Sequence, residues 1–194
     1  MQNLVSKILT ILTTIEKWVA AICIAALTLL MVVDILKREA MNEGIPWAQK
    51  LSLYFMIWAG LIGAALTSSK GGHLRPEIAD KIWPQSLHPV LKTIEQLFIS
   101  IFCFGLGYFA FEFVIESNKL GDINPVTDIP LWMVQAVIPY SLFSMGLRHF
   151  VYFLFADIRP KDLNEAEEAL AAEEALAAKE AIAAEEASKK EGGA

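Results

Sequence analysis

Four long stretches with almost no charge occupy most of the first 155 residues of this 194-residue chain. They cover about residues 18–36, 51–69, 95–115 and 129–155. A helix of about 20 apolar residues spans the hydrocarbon core of a bilayer, which is about 30 Å thick. The sequence therefore predicts an all-α integral membrane protein with a transmembrane domain of four helices over 18–155.

The two ends of the chain differ from this domain. Residues 1–17 carry an apolar stripe at helical spacing, formed by Leu4, Ile8, Leu12 and Ile15. This stripe is typical of an amphipathic helix on the membrane surface, or of a first helix that extends into the cytoplasm. Residues 156–194 form an acidic tail rich in Ala and Glu, which we expect to be helical or disordered.

The distribution of basic residues predicts the orientation in the membrane. The N-terminus, the loop between the second and third spans and the start of the tail together carry eight Lys and Arg residues, against four on the other side. Because basic residues prefer cytoplasmic segments, both termini are predicted to lie in the cytoplasm.

Ionisable side chains within a span are costly and require a partner or access to the interface. Asp34 lies three and four residues before Lys37 and Arg38, which predicts a solvated ion cluster at the outer boundary. Glu95 and Arg148 occupy similar depth under the predicted topology, so we expect them to form an ion pair. No span carries a charge at its middle, and the spans contain no pair of histidines that could hold a haem. We therefore predict no catalytic, metal or cofactor site. We also predict that the protein is not an enzyme.

The second span carries small residues at helical spacing. Ala59 with Gly63, and Gly60 with Ala64, are two pairs four residues apart. Small residues let membrane helices approach closely. This face fits either packing among the four helices or docking on a larger membrane subunit, and the pattern alone does not choose.

Several short elements occur in a recognisable order along the chain. They are Pro46-Trp47, Trp58 and Gly63, then Gly72-His73 and Glu77, and finally Ile129-Pro130-Leu131-Trp132 and Pro139. With the four spans, this pattern resembles the small, Q-type (DctQ-like) membrane subunit of a tripartite ATP-independent periplasmic (TRAP) transporter. One departure is Gln49-Lys50, where the family often has acidic residues.

The resemblance implies two protein partners in a bacterial inner membrane. A large membrane subunit would hold the substrate and sodium sites, and a soluble periplasmic binding protein would deliver an organic acid such as sialic acid or a C4-dicarboxylate. The small subunit would serve as a scaffold, contacting lipids and the large subunit through Trp47, Trp58 and the small residues of the second span. The resemblance places Glu39, Glu43, Asp122 and Asp128 beside the docked binding protein, and it implies no contact with nucleic acid.

An alternative function is a self-sufficient four-helix exporter coupled to protons. Such an exporter needs a membrane-embedded acid that loads and releases protons, and Glu112 is the candidate. Flux through the purified chain alone would distinguish this exporter from a scaffold.

Overall fold

The computed structural model describes residues 2–69 and 88–160. This part of the chain contains five α-helices: α1 (Gln2–Met41), α2 (Ala48–Ser69), α3 (His88–Leu120), α4 (Leu131–Gln135) and α5 (Val137–Leu154). A 3-10 turn (Ala156–Ile158) follows α5. The described residues form no strand beyond an isolated bridge between Ile123 and Pro130, so the predicted all-α class is confirmed. The acidic tail beyond residue 160 and the segment 70–87 between α2 and α3 lie outside the described residues.

The first helix is longer than the sequence suggested. α1 runs without interruption for 40 residues, which is about 60 Å at the usual rise per residue. The predicted N-terminal segment is therefore the first part of α1. Leu4, Ile8 and Ile15 face outward, whereas Leu9 and Glu16 are buried. An apolar stripe can face lipid as readily as protein, which is why the pattern did not identify the packed side.

Three helices in the described part are long and apolar enough to cross a membrane: α1, α2 and the Val90–Leu120 portion of α3. The predicted fourth span is instead divided into α4 and α5 at Ala136. Pro139 explains the division, because proline cannot donate a hydrogen bond to the carbonyl group four residues earlier, that of Gln135. Residues 2–69 and 88–160 therefore contain three uninterrupted helices of membrane-spanning length, and the predicted fourth span is two shorter helices.

The helices pack in the order α1, α2, α5, α3. α1 lies along α2, α2 contacts α5, and α3 lies along α5. A small apolar core of Ala20, Ile62 and Val137 joins α1, α2 and α5 near the middle of this assembly. The turn at 42–47 and the loop at 121–130 lie at the same end, because α2 and α5 run parallel and α1 and α3 run antiparallel to them.

Candidate functional site

A buried ion pair joins the first helix to the last. Glu16 on α1 and Arg148 on α5 are 132 residues apart in sequence, and their side chains are 1% and 0% exposed. The Arg148 Nη2 atom lies 2.5 Å from Glu16 Oε2. The other carboxylate oxygen of Glu16 accepts hydrogen bonds from the hydroxyl groups of Ser144 at 2.6 Å and Tyr140 at 3.3 Å. Glu16 is therefore held by three donors of α5.

The guanidinium group of Arg148 extends this contact to α2. Its Nη1 atom donates to the carbonyl oxygen of Ala65 at 3.1 Å and to the hydroxyl oxygen of Ser144 at 2.8 Å. Its Nη2 atom also donates to Thr13 Oγ1 on α1 at 3.3 Å. Of the three guanidinium nitrogens of Arg148, Nε alone is buried without a hydrogen-bond partner in the described residues. Arginine suits this position because its planar fork of donors can bind several acceptors at once.

The next residue, His149, connects α2 to α3. Its Nε2 atom lies 2.8 Å from Ser68 Oγ, and its Nδ1 atom lies 2.6 Å from Gln96 Oε1. With the amide oxygen of Gln96 as acceptor, Nδ1 donates the hydrogen bond. Together with the Glu16–Arg148 contacts, these bonds link α1, α2, α3 and α5 through polar groups, most of which are buried. We call this set the interhelix polar network; it consists of Thr13, Glu16, Ala65, Ser68, Gln96, Tyr140, Ser144, Arg148 and His149.

The surroundings of the network favour a structural role. A cavity of about 300 Å³ lies beside Glu16, and its walls are mostly the apolar side chains of Val19, Ile62 and Val137 with the ring of Trp58. Within residues 2–69 and 88–160, no group of three or more His, Cys, Asp and Glu side chains is arranged to hold a metal ion. Buried charges that are paired and hydrogen-bonded hold helices in a defined register, and removing one partner is strongly destabilising.

The predicted ion pair between Glu95 and Arg148 is wrong. Glu95 is half-buried on α3, whereas Arg148 points to the side of α5 that faces α1 and α2. The adjacent His149 occupies the side toward α3. Sequence reasoning missed Glu16 because it placed this residue outside the first span. The sequence did contain a signal: Glu16 is the one acidic residue between Met1 and Val33, a stretch of mostly apolar residues that includes most of the first span.

Asp34 and Arg38 form a second, local ion pair. The Arg38 Nη2 atom lies 2.9 Å from Asp34 Oδ2, and the backbone N–H of Ile45 donates to Asp34 Oδ1 at 2.5 Å. Asp34 is only 2% exposed although Arg38 is 56% exposed, so the aspartate is buried where a solvated cluster was expected. Gly44 lies against this pair, because a Cβ atom there would come within 2.9 Å of Arg38 Nη2. Asp34 thus fastens the turn that joins α1 to α2.

The small-residue face of the second helix is only partly used within the chain. The indole N–H of Trp58 donates to the carbonyl oxygen of Val134 at 3.2 Å, so Trp58 packs α2 on α4. Ala59 is half-buried, whereas Gly60 and Ala64 are exposed. A Cβ atom built at Gly60 or Gly63 would meet nothing within 4 Å. This part of α2 is therefore open to a neighbour outside the described chain.

The candidates for periplasmic contacts all lie at the end of the molecule that carries the 42–47 turn. Glu39, Glu43, Asp122 and Asp128 are exposed, and so is Trp47. Asp128 has a left-handed backbone conformation with φ of 53°. Its N–H donates to the Asn124 carbonyl at 2.9 Å. These carboxylates are available to a partner on the surface.

Known proteins resemble this chain over most of its length. Residues 27–159 match the family described as tripartite ATP-independent periplasmic transporters, DctQ component. A protein of Haemophilus influenzae strain Rd, named as a candidate TRAP transporter small permease protein, is 26% identical over 156 residues, covering 73% of this chain and 92% of that protein. A sialic acid TRAP transporter permease protein, SiaT, of Haemophilus influenzae strain 86-028NP is 22% identical over 92 residues, covering 46% of this chain and 15% of SiaT. Because the family match covers more than half of the chain, this protein belongs to the DctQ family of TRAP transporter components.

Proposed function

We propose that this chain is the small membrane subunit of a TRAP transporter and acts as a scaffold for the large membrane subunit. The complete transporter takes up an organic acid, such as sialic acid or a C4-dicarboxylate. A periplasmic binding protein delivers this acid, and a sodium gradient drives its uptake. The similarity to the sialic acid permease SiaT favours sialic acid among these substrates. The chain lies in the bacterial inner membrane with both termini in the cytoplasm.

The observation that carries this proposal is that the buried charges among residues 2–69 and 88–160 are each paired with a group of the chain itself. Glu16 receives hydrogen bonds from Arg148, Ser144 and Tyr140, all of which lie on α5. A transport site presents polar groups to a solute, usually on broken helices near mid-depth. Here the same kinds of groups connect helix to helix. The interior therefore maintains the shape of the subunit, as a scaffold requires.

A fourth membrane crossing by α4 and α5 together completes the proposed topology. The two helices cover Leu131–Leu154, about 36 Å at helical rise, which is enough for the hydrocarbon core. Ala136 has helical backbone angles, so the helical path continues through the interruption. Pro139 itself is buried, and membrane segments tolerate a proline where neighbouring groups cover the backbone it frees.

The large subunit is proposed to pack against the open face of α2. Gly60, Gly63 and Ala64 present little side-chain volume there, which permits close approach of a second helix in lipid. The exposed carboxylates Glu39, Glu43, Asp122 and Asp128 are proposed contacts for the binding protein at the periplasmic end.

Reconstitution tests the proposed division of labour. Liposomes containing this chain and the large subunit should take up the organic acid when a sodium gradient and the binding protein are present, whereas liposomes with either membrane subunit alone should not. Proton-coupled flux through this chain alone would overturn the scaffold function and support the exporter. For that exporter the critical residue would be Glu112, which is exposed and bonded to Tyr108 of its own helix.

The Gly63→Leu substitution tests the docking face. We expect it to lower recovery of the large subunit in co-purification without unfolding this chain, because a Cβ atom at Gly63 would meet nothing within 4 Å in the described part. The matched control is Ala25→Leu, which adds similar volume at an exposed position of α1. Equal recovery for both variants would show that this face of α2 does not contact the large subunit.

A further inference from the structure

The outward face of α3 carries a carboxylate within the apolar part of the helix. Glu112 is exposed, and the exposed side chains of Ile101 and Tyr108 lie on the same face. Cys103 and Val114, on the opposite face, are buried. Because α3 packs on α5 through that opposite face, Glu112 points directly away from the rest of the described chain.

The position of Glu112 along the helix places it inside the membrane. It precedes the end of α3 at Leu120 by two turns, about 12 Å at helical rise. The segment Val90–Leu120 has the length and hydropathy of a membrane span. Ionisable residues within membrane spans almost always face a protein neighbour or a water-filled cavity, since contact with lipid is costly. An outward-facing Glu112 therefore indicates that this face is covered in the assembled transporter.

The carboxylate of Glu112 is oriented but not fully bonded. The Tyr108 hydroxyl group donates to Glu112 Oε1 at 2.6 Å, and within the described part of the chain this is its one hydrogen bond. An ionised carboxylate can accept about four hydrogen bonds. Glu116, one turn nearer the helix end, instead has Lys119 of its own helix at 3.4 Å. Glu112 thus has room for a strong donor from another molecule.

A glycine on the same face provides space for that molecule. Gly105 is exposed, and a Cβ atom there would meet nothing within 4 Å. Glycine at such a position lets the backbone of a second membrane helix approach closely. Gly105 lies two turns from Glu112, so one neighbouring helix can contact both.

We propose that a helix of the large membrane subunit docks on the α3 face formed by Ile101, Gly105, Tyr108 and Glu112, and that it places an Arg or Lys side chain against Glu112. The cation would form a buried charge-assisted pair with the carboxylate that Tyr108 positions. This inference rests on the proposed scaffold function. It adds a charged contact on α3 to the neutral contact proposed for the small-residue face of α2. The partner is defined by chemistry: a membrane helix with one basic residue at the depth of Glu112.

Co-purification of the large subunit with tagged variants of this chain tests the charged contact. Removing one member of a buried charge pair costs several kcal/mol, so Glu112→Leu should reduce the affinity for the large subunit at least about tenfold. Glu112→Gln should lose less, and Tyr108→Phe less again. Glu116→Leu is the matched control, which should retain wild-type recovery because Glu116 already has a cation, Lys119, on its own helix and lies nearer the end of that helix.

A photo-crosslinking amino acid at Phe109, an exposed neighbour of Glu112, identifies what covers the face. An adduct with the large subunit supports the proposal, whereas adducts restricted to lipid or to a second copy of this chain overturn it. Equal recovery of the large subunit by the wild type and Glu112→Leu also overturns it, while leaving the scaffold function intact. If the wild-type chain itself recovers no large subunit, the scaffold function fails instead.

Discussion

Two ion pairs hold different parts of this molecule in different ways. Asp34 and Arg38 are one helical turn apart on α1, and the arginine is 56% exposed. Glu16 and Arg148 lie on the first and last helices, and both side chains are at most 1% exposed. The local pair shapes a turn at one end of the molecule. The long-range pair sets the position of α1 against α5.

The difference lies in what surrounds each pair. The Arg38 side chain is in contact with solvent, so its attraction to Asp34 is weakened by solvent screening. Arg148 carries five hydrogen-bond donors on a side chain that is 0% exposed, and its neighbours Ala65, Ser144 and Thr13 accept from it. In a membrane, where lipid gives helices little hydrophobic reason to associate, such polar contacts specify which helices pack together. Removing one member of the buried pair should therefore destabilise the subunit more than removing one member of the local pair.

The largest predicted effect follows removal of the buried acid. Glu16→Leu leaves the Arg148 charge unpaired, which we expect to lower the free energy of unfolding by about 3–5 kcal/mol. Unfolding in detergent micelles, followed by denaturant titration, measures this loss. Glu39→Leu is the control, because Glu39 is an exposed acid of the same helix and its loss should change stability little.

A double variant separates the pair from the packing of either side chain. Glu16→Leu combined with Arg148→Leu removes both charges, so it should be more stable than Glu16→Leu alone. If Glu16→Leu unfolds at the same denaturant concentration as Glu39→Leu, the buried pair does not stabilise this subunit.

The contrast also explains how far the sequence could predict the structure. Membrane helices and the Asp34–Arg38 contact depend on residues close in sequence, so hydropathy and helical spacing identify them. The partner of Arg148 depends on which face of α5 turns toward α1, and that rotation is set by packing over the whole assembly. Glu95 and Glu16 are both acids at plausible depth, and only the direction of the arginine side chain distinguishes them.

The same limit applies to the outer surfaces. The spacing of Gly60 and Gly63 indicates that they belong to a small-residue face of the second span. The sequence does not show whether other residues of the same chain cover that face. The structure leaves both positions open, whereas Trp58 from the same helix packs internally. Adjacent positions on a helix face different neighbours, and local pattern alone does not assign a neighbour to each face.

An intermediate effect is expected at His149, which bridges α2 and α3. His149→Phe keeps a ring in place but removes the contacts to the buried Ser68 and the half-buried Gln96, and the loss of these partners should cost about 1–3 kcal/mol. A double-mutant cycle with Gln96→Ala measures the contact itself. Because the two side chains bond at 2.6 Å, their effects should not add. Strictly additive losses would show that His149 stabilises the helices without using Gln96.

The smallest and most local effect is expected at the turn between α1 and α2. The Ile45 N–H donates to the Asp34 carboxylate, so Asp34→Ala should speed hydrogen exchange at the Ile45 amide while changing global stability less than Glu16→Leu does. Arg38→Ala should leave that exchange nearly unchanged, because the exposed arginine contributes little to a screened pair. Mass spectrometry of peptides covering residues 42–47 measures the exchange. If Arg38→Ala speeds the exchange more than Asp34→Ala does, the arginine and not the aspartate stabilises the turn. Solvent exposure would then be a poor guide to which member of this ion pair matters.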